Sequence, residues 1–411
     1  MLAHACYLTD ARIRREAEAL AERGFDIHVI SLGEERNGVP EPRQAILKGV
    51  HIHRLPIRKK RGNFLRYVFE YSMVGLLGGI KLAALQLQGR IKIVHVHNMP
   101  DILTLAGLFP RLCGSVLILD VHDPSPELYM SWGYSRRSLV VKLLQLQERI
   151  SFWLADRVVS VNETMRENLR SKHVPDGKIS IVHNFPDQSY FPVCKSVPSW
   201  PPQSKELVML YCGTVTEHYD LGLAIKAMAR LAGEVPVKLK VMGDGNKLDE
   251  LLELATKLGV RDSVEVVRKV QIDKVAEEMR KAHIGISCHR EGIFGDLYFS
   301  TKIVEYLTQG LCVVSTRTRT IEKYLSEDCL FYFNSGSDAA LADTIRYVWL
   351  NPKEVMRRGN NARQHLARLS WQAEKDKFLA FYDGLLNGSV LEAEGVAAGE
   401  LSGGSKTKLN P

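Results

Sequence analysis

Two side chains in the last third of the chain, Lys302 and Glu305, have the types and the spacing to bind a nucleotide. They lie three residues apart in "STKIVEYLTQG", so they share one face of a predicted helix that begins near Ser300 and Thr301. The free N–H groups at the start of such a helix attract phosphate. A cation beside that phosphate and a carboxylate one turn further on, accepting from two sugar hydroxyls, would together bind a nucleotide. An ordinary surface ion pair is the alternative.

A second stretch, "YCGTVTEHYDLG", also has the form of a phosphate-binding turn, because a buried strand ends at Gly213 and a helix follows. The turn has no Lys or Arg, and its His218 is cationic only when the pH is low or a phosphate raises its pKa. We therefore expect backbone N–H groups at Gly213 and Thr214, with Arg290 and Lys302 supplying the positive charge. Ligand affinity should then fall as the pH rises through the pKa of His218.

The elements that position these residues alternate between helix and strand. "ARIRREAEALAERG" has helical spacing of apolar residues, and "FDIHVISL", "IKIVHVHN" and "VLILDVHD" read as short buried strands. Such alternation predicts βαβ units and a parallel sheet, whose ligand crevice lies at the carboxyl ends of the strands. His97, Asn98 and His122 stand at two of those ends, and Asp101 follows in a loop.

The chain divides at a proline-rich stretch. Five prolines lie close together in this part of the chain, and four of them fall within residues 187–206. Because these residues also have no apolar periodicity, we predict a linker there. The alternation then restarts, with helices predicted near 221–231, 247–258, 272–282 and 301–309 and a "GDG" turn at Gly243. We predict an α/β protein with Rossmann-like domains at 1–186 and 207–370, a helix at 371–386 that returns to the first domain, and a disordered tail at 387–411.

Composition narrows the class of partner. The 411 residues are 45% hydrophobic and 25% charged, with a net charge of +8, which favours nucleic acid, a phospholipid surface or a phosphorylated small molecule. We expect no nucleic-acid partner, because the basic cluster matches no recognised binding module. Seven cysteines without a C-x-x-C pattern, and no secretory-signal pattern, indicate a cytoplasmic protein with reduced thiols.

A basic cluster precedes the most apolar segment of the chain. Arg58, Lys59, Lys60 and Arg61 lie just before residues 66–87, where Glu70 and Lys81 leave only about ten uncharged positions between them. We therefore expect no spanning helix. The pattern suits peripheral contact with an anionic membrane on the inner face of the cytoplasmic membrane, and equally a solvated loop with a core helix. 

Several motifs, in order, resemble one enzyme family. They are "DARIRREAEALAERGFDIHVISL", "VHVHNMPDILTLAGLFPRLCGSVLILDVHDPSPELY", "ADRVVSVNETMRENL", "KISIVHNFPD", "MGDG" and "STKIVEYLTQG". Together they resemble the retaining glycosyltransferases of family 4, whose GT-B architecture has two facing Rossmann-like domains and an interdomain cleft. The resemblance implies transfer of a sugar from a nucleotide-sugar donor to a glycan or lipid-linked acceptor, with retained anomeric configuration, in surface polysaccharide or glycoconjugate synthesis. It also implies that no metal or other cofactor is needed.

The resemblance assigns roles at matching positions. Glu305 matches the glutamate that binds the ribose hydroxyls, and His122 matches a histidine that faces the donor sugar, so His122, Lys302 and Glu305 are the catalytic candidates. The resemblance implies that nine residues contact the donor. They are Gly213, Thr214, His218, Gly243, Arg290, Ser300, Thr301, Lys302 and Glu305. Acceptor contacts are expected from His97, Asn98 and Asp101.

The chain departs from the family pattern at three places. The family's first glutamate falls on Leu297, with Asp296 adjacent but pointing differently. The Arg and Lys that many relatives have in the Gly213 turn are absent, although a subset with G-T-(hydrophobic)-T-x-(Arg)-Tyr places His218 at the Arg position. The first loop lacks a Gly-Gly pair, for which Arg12 or Arg14 are candidates to compensate.

Other classes remain open or are disfavoured. A GT-B nucleotide-sugar epimerase remains open, because it also uses paired Rossmann-like domains. The departures also fit an inactive nucleotide-sugar-binding partner subunit. A dehydrogenase is disfavoured, because "GDGNKL" lacks the third glycine of the dinucleotide fingerprint. The pairs His95 with His97 and His51 with His53 alternate along strands without a matching third ligand, so we expect no metal site.

Overall fold

A computed structural model describes residues 1–387 apart from residues 37–38, 59–63, 90, 195–199, 201, 203–205, 269, 271 and 291. Lys59, Lys60 and Arg61, parts of the expected linker, and the expected tail beyond Asn387 lie outside the described residues.

The first domain is built on parallel strands. Its strands are β1 Leu2–Cys6, β2 Ile27–Gly33, β3 Glu35–Arg36, β4 Val39–Pro40, β5 Gln44–Leu47, β6 Val50–Arg58, β7 Ile93–His97, β8 Val116–Val121, β9 Arg157–Ser160 and β10 Ile179–Ile181. Eight of them form one sheet in the order β10-β9-β8-β7-β1-β2-β6-β5, in which β5 is antiparallel to β6 and every other pair is parallel; β3 and β4 pair separately. The continuous burial of β8 is typical of a sheet covered on both faces.

Helices cover that sheet on both sides. They are α1 Ala11–Glu22, α2 Phe64–Gly89, α3 Leu108–Leu112, α4 Ser125–Ser131, α5 Leu139–Leu154 and α6 Glu163–Ser171, with a 3₁₀ helix at Asp101–Gly107. The side chain of Asp10 caps α1 by accepting from the backbone N–H groups of Arg12 and Ile13. Ile13, Ala17 and Leu20 then bury one helical face against the sheet.

The second domain repeats this plan. Its sheet has the order β13-β12-β11-β14-β15-β16, all parallel, from β11 Leu207–Cys212, β12 Val237–Met242, β13 Val264–Val267, β14 Ile284–Ser287, β15 Cys312–Thr316 and β16 Phe331–Phe333. Its helices are α7 Gly222–Leu231, α8 Leu248–Lys257, α9 Ile272–Met279, α10 Ile293–Leu297, α11 Thr301–Thr308, α12 Arg319–Tyr324, α13 Asp338–Leu350 and α14 Pro352–Leu366. The predicted α/β class with two parallel sheets is confirmed.

The last described helix, α15 Trp371–Leu386, returns to the first domain. Its Tyr382 and Phe378 pack in one apolar cluster with Leu20 of α1. Lys375 pairs with Glu22 at 2.5 Å across the same contact.

Helix α2 differs from the sequence expectation. It runs without a break through Glu70 and Lys81, and by length and composition its Arg66–Gly89 stretch is apolar enough to cross a membrane. Glu70 is buried and lies 2.6 Å from the ring of His4, so it does not interrupt the apolar surface. One face of the helix, including Val74 and Leu82, packs into the core of the first domain.

Candidate functional site

Lys302 lies directly beneath the turn that follows β11. Its ammonium nitrogen is 3.3 Å from the ring centre of Tyr219 and 4.7 Å from that of Tyr211, and it donates to the Tyr211 hydroxyl at 3.3 Å. Among the described residues no carboxylate oxygen comes within ion-pair distance of this nitrogen, and Glu305 is not its partner. The surface-ion-pair alternative therefore fails, and the cation is held by aromatic faces that leave its charge available to an anion.

The start of α11 has an unused polar atom. Ser300 is fully buried, and its hydroxyl oxygen has no hydrogen-bond partner among the described residues. The first N–H groups of the helix, which begins at Thr301, have no carbonyl partner within the helix. A buried hydroxyl at a helix N-terminus beside an ammonium group is suited to an oxyanion.

Glu305 lies one turn further along α11 and is partly buried. Desolvation raises the pKa of its carboxyl to about 7, against the opposing effects of Lys302 and a hydrogen bond from Thr301. Near neutral pH this carboxyl therefore passes between a protonated donor and an ionised acceptor.

Two glycines allow the turns to approach one another. Gly213 has φ +138°, and a Cβ there would lie 2.5 Å from Cε of Lys302. Gly243 has φ +153°, and a Cβ there would lie 2.0 Å from the carbonyl oxygen of Gly213. Because Gly243 has no Cβ, the Gly213 turn can pack directly against it and lie close to Lys302.

A cavity of about 520 Å³ separates the two domains next to these turns. The first domain supplies α4 and Asp123, and the second supplies the turn after β11, Arg290 and α10. Arg290 is more than half exposed, and its Nε is 3.9 Å from Asp220 Oδ2. Tyr219 lines the cavity and also covers Lys302, so it lies between the two.

His218 makes a contact between the domains. The indole N–H of Trp132 donates to its Nε2 at 2.7 Å, and Ser131 Oγ lies 3.4 Å from its Nδ1. Because an indole nitrogen can only donate, Nε2 must be unprotonated, which makes this histidine neutral. Burial also lowers the pKa of His218 from 6.5. His218, which we expected to be a cation in contact with phosphate, is therefore a neutral hydrogen-bond partner between the two domains.

The loop after β8 carries His122 at the edge of the cleft. Asn98 Oδ1 accepts from the backbone N–H groups of His122 at 3.1 Å and Asp123 at 3.3 Å, and Asn98 Nδ2 donates to the Asp123 carbonyl at 2.6 Å. The ring of His122 is about a quarter exposed, and its Nδ1 lies 4.0 Å from Asp120 Oδ2 without a hydrogen bond. Asn98 thus fixes the backbone that presents His122.

The expectation that His97, Asn98 and Asp101 face an acceptor is corrected. His97 is 1% exposed and lies 3.0 Å from Asp120, Asn98 is buried as the clamp of the His122 loop, and Asp101 is buried between Asn98 and the Ser125 hydroxyl. The physical reason is that His97 packs against His95 and Asp120, while Asp101, at the start of the 3₁₀ helix, is held by Asn98 and Ser125. Asn98 and Asp101 thus stabilise the loop after β8 and do not face the cleft themselves.

The arginines proposed to replace the missing Gly-Gly pair are also engaged elsewhere. Arg12 is buried and forks onto Asp120 at 2.8 and 2.9 Å, which holds the pKa of that carboxyl well below its usual range. Arg14 pairs with Glu18 and Tyr190. Arg15, which the sequence did not single out, is the α1 arginine whose charge acts on Glu305.

The sequence pattern offered His95 and His97 without a third ligand, which argued against a metal site. The structure places two further candidate ligands, Glu16 and Asp120, beside these histidines. Glu16, His95, His97 and Asp120 each offer an atom within 4.8 Å of the others, and they are the described residues that do so. Both oxygens of Asp120 already accept from Arg12, and the guanidinium nitrogen of Arg12 lies 3.2 Å from Glu16. A permanent cation is thus already at the centre of this cluster.

Leu297, at the position of the family's first glutamate, has a structural contact. It is buried in an apolar cluster with Val121 and Phe152 of the first domain, and its carbonyl accepts from Asn162 at 2.9 Å. The neighbouring Asp296 accepts from the backbone N–H of Arg319 at 3.1 Å. Helix α10 is thus attached to the first domain where a relative would have an acid.

Trp132, Tyr219 and Arg15 are site residues that sequence reasoning missed. No pattern marks Trp132, whose role depends on a contact across 86 residues of sequence. Tyr219 was visible as the last position of the G-T-(hydrophobic)-T-x-(Arg)-Tyr pattern.

Two Rossmann-like domains that face one cleft form the GT-B architecture. Two family models agree: the glycosyl transferase 4-like domain matches residues 9–184, and glycosyl transferases group 1 matches residues 195–365. The chain belongs to the group 1 glycosyltransferases of GT-B type, with a family 4-like first domain.

Individual relatives are distant in sequence and similar in fold. The N-acetyl-alpha-D-glucosaminyl L-malate synthase of Bacillus anthracis is 21% identical over 370 residues, 89% of each chain. Sucrose-phosphate synthase of Thermosynechococcus elongatus superimposes with a TM-score of 0.76 at 16% identity, covering 92% of this chain and 93% of its own. Anabaena Alr3699/HepE in complex with UDP-glucose superimposes with a TM-score of 0.68 at 13% identity, covering 93% and 98%.

Proposed function

We propose that the protein transfers a sugar from a nucleotide-sugar donor to a glycan or lipid-linked acceptor with retention of anomeric configuration. The observation that carries this proposal is the start of α11, where the unpartnered Ser300 hydroxyl and free N–H groups lie in the same helical turn as Lys302. Negative charge develops on the diphosphate as it leaves, and prearranged donors stabilise it.

The remaining site residues have separate roles in this proposal. Glu305, once ionised, accepts from the two ribose hydroxyls, while Thr214 offers its backbone N–H group to the phosphates. The expected contribution of the Gly213 N–H is corrected, because that group donates to the Met242 carbonyl at 2.9 Å. Arg290 extends into the cavity beside them. His122 faces the sugar near the reacting carbon, on a backbone that Asn98 fixes.

Relatives support a nucleotide-sugar donor. Alr3699/HepE has been solved with UDP and with UDP-glucose, and the name of the B. anthracis relative describes a glycosylated small molecule. We propose that the product here belongs to surface polysaccharide or glycoconjugate synthesis on the inner face of the cytoplasmic membrane, with Arg58, Lys59, Lys60 and Arg61 contacting anionic lipid. 

We also propose that transfer needs no metal ion. Lys302 and the α11 N-terminus supply the positive charge that a cation would otherwise give to the diphosphate. Activity should then be unchanged by a chelator such as EDTA, and loss of activity restored by one added divalent metal would contradict this.

A second candidate, a donor-binding subunit without turnover, is favoured by one observation. The position of the family's first glutamate is a leucine buried between the domains, so the donor sugar lacks that carboxylate. Donor binding without product, against any acceptor and without hydrolysis, would support this reading.

The test is a thermal-shift screen of UDP-, GDP-, ADP- and CMP-sugars, followed by NMR of the anomeric proton in the product formed from the best donor. The Lys302→Met variant is the matched control, since its side chain retains the length and loses the charge. A shift with one donor that Lys302→Met abolishes, followed by a product of retained configuration, is expected. A product of inverted configuration, or no shift with any donor, would overturn the proposal.

A further inference from the structure

Helix α5 has an apolar stripe on its outer side. Leu139, Leu143, Leu146, Ile150 and Trp153 follow one another at helical spacing, and all except the half-buried Ile150 are exposed, Leu139 by 71% and Trp153 by 78%. The opposite side of the helix supplies the core residues Val141 and Phe152. The helix is therefore apolar on two faces, of which the sheet covers one.

The stripe continues over two neighbouring elements. The 3₁₀ helix packs against both α5 and α2, and it leads directly into α3. The outer side chains of this layer are again apolar: Leu105, Leu108, Phe109 and Leu112 on the middle elements, and Val68, Phe69, Leu76, Ile80 and Leu87 on α2. Together with the four on α5, they make up thirteen of the twenty-three exposed large apolar side chains among the described residues. A contiguous apolar surface of this kind marks an interaction site.

The exposed charged side chains on these elements are all positive. Their three carboxylates are all buried: Glu70 bonds His4, Asp101 bonds Asn98 and Ser125, and Glu148 lies 2.7 Å from Lys172. The exposed charged side chains on α2 and α5 are Arg66, Lys142 and Arg149. An apolar layer whose exposed charges are cationic complements an anionic lipid surface, whereas a self-associating interface would place these cations against one another.

We propose that the outer face of α2, α3 and α5 docks on an anionic lipid bilayer, with the apolar side chains in the headgroup and upper acyl region. The exposed aromatics Trp132 and Tyr134, between α4 and α5, extend this face to the cleft, since Trp132 contacts His218. The cleft then opens beside the lipid surface, so the acceptor is an amphiphile held in that bilayer. This second step rests on the proposed sugar transfer, while docking itself does not.

Docking is tested by sedimentation with vesicles of phosphatidylcholine alone and of phosphatidylcholine mixed with phosphatidylglycerol. The informative variant combines Leu139→Gln, Leu143→Gln and Leu146→Gln, and the matched control combines Leu258→Gln and Leu350→Gln, which are exposed leucines of the second domain. We expect the wild type and control to prefer the anionic vesicles, and the α5 variant to lose roughly tenfold or more in partitioning. A charge variant, Lys142→Glu with Arg149→Glu, should bind weakly as well.

A spectroscopic readout places the contact on α5. Trp153 should shift its fluorescence to the blue on anionic vesicles, and Trp153→Phe should remove most of that shift. Equal sedimentation of the α5 variant and the wild type would overturn the proposal. So would a wild-type dimer that the α5 variant dissociates, without vesicle binding, because the face would then join two copies. Donor thermal shifts that persist in the α5 variant separate a failure of docking from a failure of the proposed transfer.

Discussion

Replacing Glu305 with glutamine tests the most unusual group of the site. In the wild type the carboxyl has a pKa of about 7, because α11 and its neighbours remove water from it. Glutamine has nearly the same shape and hydrogen-bonding reach and does not ionise. The variant therefore shows what the negative charge alone contributes to protein stability and to donor binding.

The sign of the stability effect follows from the two states of the chain. In the unfolded chain Glu305 ionises near 4.5, and in the folded protein near 7, so the native state holds one more proton between these pH values. Wild-type stability then falls with rising pH in this window, by ~1.4 kcal/mol per pH unit for a fully desolvated group. The difference of the two pKa values corresponds to ~3 kcal/mol. Because Glu305 retains partial exposure, we expect about 2 kcal/mol.

The assay is urea unfolding of the wild type and Glu305→Gln at pH 5 and pH 8. The two proteins should be similar at pH 5, and the variant should be more stable by about 2 kcal/mol at pH 8. Glu253→Gln, at an exposed position of α8, is the control and should show no such difference. Equal stability of the wild type and Glu305→Gln at both pH values would refute the desolvation argument.

Donor affinity gives the opposite response in the same pair. Ionised Glu305 accepts ribose hydroxyls, so wild-type affinity should strengthen as the pH rises through about 7, while the glutamine variant should bind about tenfold more weakly at pH 8. Isothermal titration with the donor found in the screen measures both. An unchanged affinity in the variant would remove Glu305 from the donor site.

Three further predictions concern the same turns. Lys302→Ala should weaken donor binding by roughly tenfold or more, measured by titration, and should change stability to urea little, because no carboxylate oxygen among the described residues is paired with its ammonium group; unchanged affinity would contradict the site. Gly243→Ala should destabilise the protein by about 3 kcal/mol, since its Cβ meets the Gly213 backbone. Gly213→Ala shares the strain of a positive φ but meets only the flexible end of Lys302, so it should destabilise the protein less and also reduce donor affinity; equal unfolding costs would contradict this. Trp132→Phe should raise the pKa of His218 in an NMR titration by freeing Nε2, and His218→Arg should abolish the part of the fall in donor affinity with rising pH that titration of His218 causes; an unmoved pKa would show that the interdomain hydrogen bond does not hold the neutral form.

The fold was accessible from the sequence because its signals are local. The apolar spacing of "ARIRREAEALAERG" and the short buried runs that follow specify helix and strand within single segments. The predicted helix near residues 301–309 and the observed Thr301–Thr308 differ by one residue for this reason. The positions of Lys302 and Glu305 at the start of that helix follow from the same pattern.

The environment of the strand-end residues was not accessible in the same way. His97 and His122 each end a strand before a loop and look alike in sequence, yet one is buried against Asp120 and the other borders the cleft. The difference arises because His97 packs against the His95 ring and against Asp120, with Glu16 of α1 close by. The engagement of Arg12 with Asp120 similarly joins residues 108 positions apart.

By itself the sequence determined the two parallel sheets and the helix that presents Lys302 and Glu305, because periodicity, capping and glycine positions act within a few residues. Tertiary structure alone decided that Lys302 lies on tyrosine rings, that His218 is held neutral by Trp132, and that α5 has an uncovered apolar face. These properties depend on desolvation and on which distant side chains come into contact, and no local pattern in the chain encodes either.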